Sequence, residues 1–180
     1  MAKKQVLLKT SHGDITIELF EEKSPGTVAN FLKYVEKKFF NGLIFHRVIS
    51  DFMIQGGGMK PDMSELPTMD PIKNEASNRI SNTRGTIAMA RTNQPHSATS
   101  QFFINVKDNK FLDYQGPNKW GYCVFGKVTK GLDIVDKIKV VKTKTVGGHG
   151  NVPITPVLIK EISLITEEKT QTTAMTDESV

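Results

Sequence analysis

One arginine and one glutamine stand inside apolar stretches of the segment GLIFHRVISDFMIQGG, residues 42–57. The segment is typical of two short strands, in which a charged side chain either extends to water or faces something that it binds. Arg47 and Gln55 can donate hydrogen bonds, and Phe52 and Met53 supply apolar surface beside them. Donors next to apolar side chains indicate a ligand pocket, whereas ordinary core aromatics with surface polar residues are the alternative.

The length of the turn between the two strands decides whether these polar residues can act together. A two-residue turn, 50–51, places Arg47 and Gln55 on opposite faces of the hairpin. A three-residue loop, 50–52, pairs Arg47 with Gln55 on one face. Phe52 is an unusual residue for the third loop position, which favours glycine, as expected if it is held there to face a ligand. A shared binding site requires this second arrangement.

Metal-dependent and covalent catalysis find little support in the sequence. The four histidines share no short spacing and have no carboxylate cluster at ligand intervals: His12, His46, His96 and His149. We interpret His46 as a buried residue that satisfies a hydrogen bond, and Cys123, in the apolar run YCVFGKV, as a small buried hydrophobe. The glycine clusters at 56–58 and 147–150 lack the remaining residues of a phosphate-binding loop, and G-x-S-x-G is absent. We therefore expect no metal and no cofactor.

The composition describes one soluble globular domain. The chain has 180 residues, of which 38% are hydrophobic and 24% charged, enough for one well-packed core and short for two. The net charge of +5 is dispersed along the chain, which argues against nucleic-acid binding. No stretch is apolar enough for a signal peptide or a membrane span, and the single cysteine fits a reducing compartment. We expect a cytoplasmic monomer with no membrane association.

Short strands dominate the elements that would position the candidate residues. Alternation and turn signals predict a hairpin over 5–20, two strands in the opening segment, and further strands at 85–90, 100–106, 122–128 and 157–165. Helices are predicted over 24–40, with Ser24 as N-cap and Pro25 at the first position, and over 131–139. Residues 56–83 form a long irregular connection, which a compact domain usually carries beside a functional site. This order favours an antiparallel barrel or sandwich with two added helices.

Three blocks of sequence resemble the cyclophilin family of peptidyl-prolyl isomerases: FHRVISDFMIQGG, GTIAMARTNQPHSATSQFFINV (85–106), and FLD (111–113) followed by YCVFGKVTKGLDIVDKI (122–138). The resemblance extends from about residue 5 to 165, and GGGM, KNEASN and NTRGTIAMAR are most similar to the bacterial branch. It implies a mainly β fold, a closed eight-stranded antiparallel barrel capped by two α-helices, over residues 1–166. The aperiodic segment 167–180 is expected to be a disordered C-terminal tail.

The same resemblance implies roles for individual residues. Arg47 would be the catalytic arginine, with Gln55 orienting it and binding substrate backbone. A hydrophobic pocket for the proline ring would be formed by Phe52, Met53, Phe103 and Leu112. The peptide backbone would be bound by the main chain of Ala90, Arg91 and Thr92, with Gln101 nearby and Phe111 and Tyr122 at the rim.

Three positions depart from many eukaryotic relatives. Phe111 stands where they have tryptophan, a residue associated with tight cyclosporin binding, and Trp120 does not fill that position. Tyr122 stands where they have histidine, and Arg91 replaces a common asparagine and adds a positive charge beside the groove. The resemblance therefore implies retained activity and weak cyclosporin binding.

Three functions remain open at this point. The first is an isomerase that acts on Xaa-Pro bonds of unfolded protein clients and so assists folding. The second is a peptide-binding or chaperone module without turnover, and the third is a basic RNA-associated protein, supported only by the mild basicity. Retention of Arg47 together with the apolar residues favours the enzyme, because a binding module has no need of the arginine.

Overall fold

β-strands make up most of the regular structure in the computed structural model, which describes residues 3–165. The strands are β1 (Gln5–Thr10), β2 (Gly13–Leu19), β3 (Arg47–Ile49), β4 (Met53–Gly56), β5 (Thr86–Met89), β6 (Phe102–Asn105), β7 (Val124–Lys130), β8 (Thr143–Val146), β9 (His149–Pro153) and β10 (Ile159–Ile165). The α-helices are α1 (Pro25–Glu36) and α2 (Leu132–Lys139). The predicted tail, 167–180, lies outside the described residues.

Eight of these strands form one antiparallel sheet in the order β10-β1-β2-β7-β5-β6-β4-β3. Within residues 3–165 the two end strands, β3 and β10, form no ladder with each other. The chain beside them meets at the isolated bridge between Ile44 and Leu158, and the Phe45 amide donates to the Val157 carbonyl at 3.0 Å. The sheet is therefore open and strongly curled, and the expected closed barrel is wrong. The three-residue β3 is too short to pair along β10.

The concave face of the sheet holds the main hydrophobic core. Phe31 of α1 lies 5.2 Å from Phe125 of β7 and 5.8 Å from Phe102 of β6, measured between ring centroids. Val135 and Ile138 bring α2 into the same cluster, and both are fully buried. Burial of each such side chain contributes about 1.5–3 kcal/mol, which fixes both helices against the sheet.

Helix α1 begins at Pro25 as predicted, but its N-terminus is capped differently. The Ser24 hydroxyl makes no capping bond and donates to the Val124 carbonyl at 2.9 Å. The Glu75 carboxylate, in the long connection after β4, accepts from the Thr27 amide and the Thr27 hydroxyl, each at 2.6 Å. An acidic group is favourable at a helix N-terminus, so this contact also anchors the connection. The helix ends at Glu36, four residues before the predicted end.

The hairpin of β8 and β9 was not predicted from the sequence. Its residues are mostly exposed, and only Val152 and Pro153 are buried. A hairpin without an apolar face lacks the period-two hydrophobic signal on which strand prediction depends. The strands that were predicted from the sequence and both predicted helices are present, with boundaries shifted by a few residues. No helix within residues 3–165 has the length and apolar character needed to cross a membrane.

Candidate active site

The hairpin of β3 and β4 has the three-residue loop. Arg47 pairs with Gln55, and Ile49 pairs with Met53, so these side chains lie on one face. The Phe52 amide donates to the Ile49 carbonyl at 3.0 Å and closes the loop. The register that a shared site requires is therefore the one observed.

Strand pairing extends this face into a row across the sheet. Gln55 on β4 pairs with Phe103 on β6, and Phe103 pairs with Ala88 on β5. The Arg47 guanidinium donates to Gln55 Oε1 through Nη1 at 3.4 Å, and Gln55 Nε2 donates to Gln101 Oε1 at 3.0 Å. Because side chains alternate along each strand, this row lies on the convex face, opposite the main core. Arg47 is thus held over an apolar floor by a chain of amide groups.

A cavity of about 130 Å³ opens on this face. Nine of the twelve predicted site residues line it: Arg47, Phe52, Met53, Gln55, Ala90, Arg91, Phe103, Leu112 and Tyr122. Met53 and Phe103 are buried beneath it, whereas Arg47 is exposed at its edge. A cavity of roughly 150 Å³ is enough to accommodate benzene, so a five-membered ring fits this one.

The other three predicted residues lie around the cavity without lining it. Gln101 extends the amide chain from Gln55, and its side chain packs on Gly58, where a Cβ would come within 2.6 Å of Gln101. Phe111 is 58% exposed and stacks on Phe52 with ring centroids 5.7 Å apart. The Thr92 hydroxyl donates to Ser97 Oγ at 2.8 Å within an exposed loop.

The Arg91 side chain is tied into the protein instead of being free beside the groove. Its Nε and Nη2 donate to the Gly121 carbonyl at 3.1 and 2.9 Å, and Nη1 donates to the Thr92 carbonyl at 2.9 Å. The guanidinium lies 4.5 Å from the centroid of the Tyr122 ring, within the range of a cation–π contact. Gly121 has a φ of +68°, and a Cβ there would lie 2.5 Å from the Leu112 carbonyl. A glycine is therefore required at this position, where its carbonyl accepts from the Arg91 side chain.

Two residues near the site, His46 and Cys123, were predicted from the sequence to be buried. His46, beside Arg47, is buried as expected, but its Nδ1 finds no hydrogen-bond partner within residues 3–165. Burial lowers the pKa of His46 to about 4, helped by the nearby His149 and Arg47. Cys123 is buried, and burial raises the pKa of its thiol, so it is a protonated hydrophobe and not a nucleophile.

Other candidate chemistry is not assembled in the described part of the chain. Residues 3–165 contain no group of three or more histidine, cysteine, aspartate or glutamate side chains that could hold a metal ion. A larger groove of about 420 Å³ lies between α1 and β10, but it contains none of the predicted site residues.

Sequence reasoning missed the polar residues behind the cavity. Asn82, Asn105 and Asn109 are each fully buried and hydrogen-bond to one another or to the backbone of cavity residues. Asn105 could have been noticed, because it interrupts the apolar strand FFINV. Asn82 and Asn109 stand in polar segments and have no comparable signal.

Comparisons with known proteins show the family of this chain and agree with its fold. The family model described as cyclophilin type peptidyl-prolyl cis-trans isomerase/CLD matches residues 5–164. Peptidyl-prolyl cis-trans isomerase B of Escherichia coli (strain K12) is 55% identical over 161 residues, which cover 88% of this chain and 98% of that protein. Peptidyl-prolyl cis-trans isomerase cyp18 of Streptomyces antibioticus is 57% identical over 162 residues, covering 89% and 98%.

A solved structure shows the same likeness. The crystal structure of a Cryptosporidium parvum cyclophilin type peptidyl-prolyl cis-trans isomerase, determined in the presence of the dipeptide Ala-Pro, matches with a TM-score of 0.74 and 25% identity. The match covers 91% of this chain and 99% of that chain.

Proposed function

The chain belongs to the cyclophilin type peptidyl-prolyl cis-trans isomerase family, and we propose that its isomerase activity resides in the cavity beside Arg47. The observation that carries this proposal is a charged donor at the edge of a cavity that has an apolar floor and a suitable size for a proline ring. Peptides that contain proline are then the substrates.

The reaction requires rotation about a bond with partial double-bond character. Amide resonance imposes a barrier of about 18–20 kcal/mol, and uncatalysed exchange of an Xaa-Pro bond takes roughly tens to hundreds of seconds. Turnover at ~10³ s⁻¹ would need about a 10⁵-fold acceleration, or ~7 kcal/mol of transition-state stabilisation. No proton, electron or leaving group is transferred.

Arg47 supplies the first part of this stabilisation. In the twisted transition state the imide nitrogen loses conjugation and becomes a better hydrogen-bond acceptor. A guanidinium donor therefore binds the transition state more strongly than either planar ground state, which is the condition for catalysis. One preorganised donor contributes about 2.7–4 kcal/mol, so Arg47 alone does not account for the whole effect.

The apolar floor supplies the second part. Phe52, Met53, Phe103 and Leu112 would hold the proline ring while the peptide on its N-terminal side rotates. Gln55 would keep the guanidinium at the edge of the cavity through its side-chain oxygen. The main chain of Ala90, Arg91 and Thr92 would bind the substrate backbone. The tethered Arg91 side chain and the Tyr122 ring would form one wall of the pocket.

The wider role that we propose is assistance to protein folding through exposed Xaa-Pro segments of unfolded chains. Such clients would be recognised by proline and backbone, since the cavity offers few side-chain-specific contacts.

We further propose a cytoplasmic monomer. The exposed Phe111 in place of tryptophan supports weak cyclosporin binding. Inhibition of turnover by cyclosporin, measured across a concentration series, tests that last point.

A coupled cis/trans assay on an Ala-Pro peptide tests the proposed mechanism. We expect Arg47→Ala to lower kcat/KM by roughly 10²–10³-fold, the value of one preorganised donor. The thermal midpoint should stay unchanged, because Arg47 is exposed. The matched control is Arg79→Ala, another exposed arginine, which lies over Tyr114 outside the cavity. Equal rates for wild type and Arg47→Ala would rule out the arginine mechanism. A wild-type rate no faster than buffer would favour the binding module.

A further inference from the structure

Three fully buried asparagines lie behind the candidate pocket: Asn82 before β5, Asn105 in β6 and Asn109 after it. A carboxamide removed from water is costly unless its donors and acceptor are satisfied. Three such groups in contact therefore require an explanation from the contacts that they make.

The three side chains form a directional chain of hydrogen bonds, which we name the asparagine relay. Asn109 Nδ2 donates to Asn105 Oδ1 at 2.9 Å, and Asn105 Nδ2 donates to Asn82 Oδ1 at 3.1 Å. The second Asn105 donor goes to Thr86 Oγ1 at 2.9 Å. Each amide thus donates into the oxygen of the next, an arrangement in which neighbouring bonds strengthen one another.

The two ends of the relay hold opposite walls of the pocket. At one end, Asn109 Nδ2 donates to the Phe52 carbonyl at 2.8 Å. At the other end, Asn82 Nδ2 donates to Asp113 Oδ1 at 3.1 Å and to the carbonyls of Leu112 and Tyr122, each at 3.3 Å. Phe52, Leu112 and Tyr122 all line the cavity. The relay therefore connects the bend of the β3–β4 hairpin to the segment that forms the far wall.

One atom of the relay is left unsatisfied. Asn109 Oδ1 is buried and has no hydrogen-bond partner within residues 3–165. Folding stability alone gives no reason to keep this acceptor at a buried position. A role for the Asn109 side-chain N–H groups explains why asparagine stands there: they donate to the Phe52 carbonyl and to Asn105.

We propose that the asparagine relay sets the distance between the two walls of the proline pocket, so that Asn82, Asn105 and Asn109 are positioning residues for substrate binding. This inference rests on the proposed function of the pocket. Arg47 lies on β3 and makes no bond to the relay. A change in the relay should therefore alter affinity for the proline ring more than it alters the donor that acts in the transition state.

Asn109→Ala separates this role from a merely structural one. We expect KM for an Ala-Pro peptide to rise on the order of 5-fold, the value of one lost hydrogen bond, while kcat changes less than about 2-fold. The thermal midpoint should fall, because the variant leaves the buried Asn105 Oδ1 without its donor, so the rise in KM is the deciding readout. Asn109→Ser, which restores one O–H donor, should recover part of the lost affinity.

The control is Thr10→Ala at the end of β1. Thr10 is also buried, and its hydroxyl donates to the Gly13 carbonyl at 2.7 Å and accepts from the His12 amide at 3.0 Å. This variant should lower the thermal midpoint and leave KM unchanged. If Asn109→Ala does the same, the positioning role is wrong.

Amide chemical shifts give a second readout that does not depend on turnover. Asn109→Ala should shift the Tyr122 amide on the far wall as well as the Phe52 amide; the Leu112 amide is not diagnostic, because it donates to the Asn109 carbonyl directly. Changes confined to the Phe52 side would contradict the relay.

Wild type and Arg47→Ala are assayed in parallel. Equal rates for those two would refute the proposed mechanism, whereas a normal KM in Asn109→Ala with an active wild type would refute only the relay.

Discussion

The two faces of the curled sheet carry hydrophobic clusters of different construction. On the concave face, Phe102 lies between the rings of Phe31, Phe40 and Phe45 at centroid distances of 5.5–6.1 Å and is fully buried. On the convex face, the neighbouring residue Phe103 meets Tyr122 at 5.7 Å and borders an open cavity. Neighbouring residues of one strand thus serve two clusters.

This difference separates stability from function along the same strands. The concave cluster excludes water on all sides, which is where apolar burial stabilises a fold most. The convex cluster leaves one side open and places donors at its edge, as a binding site requires. Substitutions on the two faces should therefore have different consequences even at adjacent positions.

The pair Phe102→Ala and Phe103→Ala tests this separation most strongly. Phe102→Ala should cost about 3–5 kcal/mol in the free energy of unfolding, since it leaves a void in an enclosed core. Phe103→Ala should cost about half as much, because its ring already borders a cavity, and should lower kcat/KM about 10-fold through lost apolar contact. Denaturant unfolding and the Ala-Pro assay at low temperature measure the two effects.

The opposite pattern would contradict the comparison. If folded Phe102→Ala loses more kcat/KM than Phe103→Ala, the concave core controls the pocket directly. Similar activity losses in both variants would mean that the two faces are coupled.

His46, the residue before β3, provides a pH-dependent test. Its pKa is lowered from 6.5 to about 4 in the folded protein, mainly by burial, so the folded state favours the neutral ring. The unfolded chain takes up a proton first as the pH falls, so stability is full above pH 6.5 and declines toward pH 4. The loss should be about 3 kcal/mol, at 1.36 kcal/mol per pKa unit.

Denaturant unfolding of wild type and His46→Phe between pH 7 and 4 measures this contribution. The variant should lose less stability over that range, because it has no imidazole to protonate. Parallel pH profiles for the two proteins would show that His46 does not carry the effect.

Gln55→Ala is the smallest expected change and tests the polar edge of the convex face alone. The Arg47–Gln55 bond is long, at 3.4 Å, and a bond of this kind is worth about 1 kcal/mol, so kcat should fall roughly 5-fold. The thermal midpoint should not move. The control is Gln115→Ala, an exposed glutamine outside the cavity. A loss of stability in Gln55→Ala without a change in kcat would show that the amide chain only supports the sheet.

Local sequence patterns were enough to predict most of the strands and helices and the pairing register of the β3–β4 hairpin. Turn chemistry and alternation predicted the β1–β2 hairpin, and the demand that Arg47 and Gln55 share a face predicted the three-residue loop. Ser24 occupies the N-cap position of α1 as predicted, but its side chain makes no capping bond. The carboxylate that accepts from the Thr27 amide belongs to Glu75, 48 residues further along the chain, which no local pattern indicates. The exposed β8–β9 hairpin gave no periodic signal.

The amino-acid sequence by itself determined the strand-rich class, the family resemblance and the residue types of the pocket, because these depend on local periodicity and on motifs contiguous in the chain. Only the tertiary structure decided that the sheet stays open, that Arg91 is tethered to the Gly121 carbonyl, and that three asparagines connect the pocket walls. Each of these features depends on hydrogen bonds between groups distant in sequence. Their partners are chosen by packing and burial, which no local pattern records.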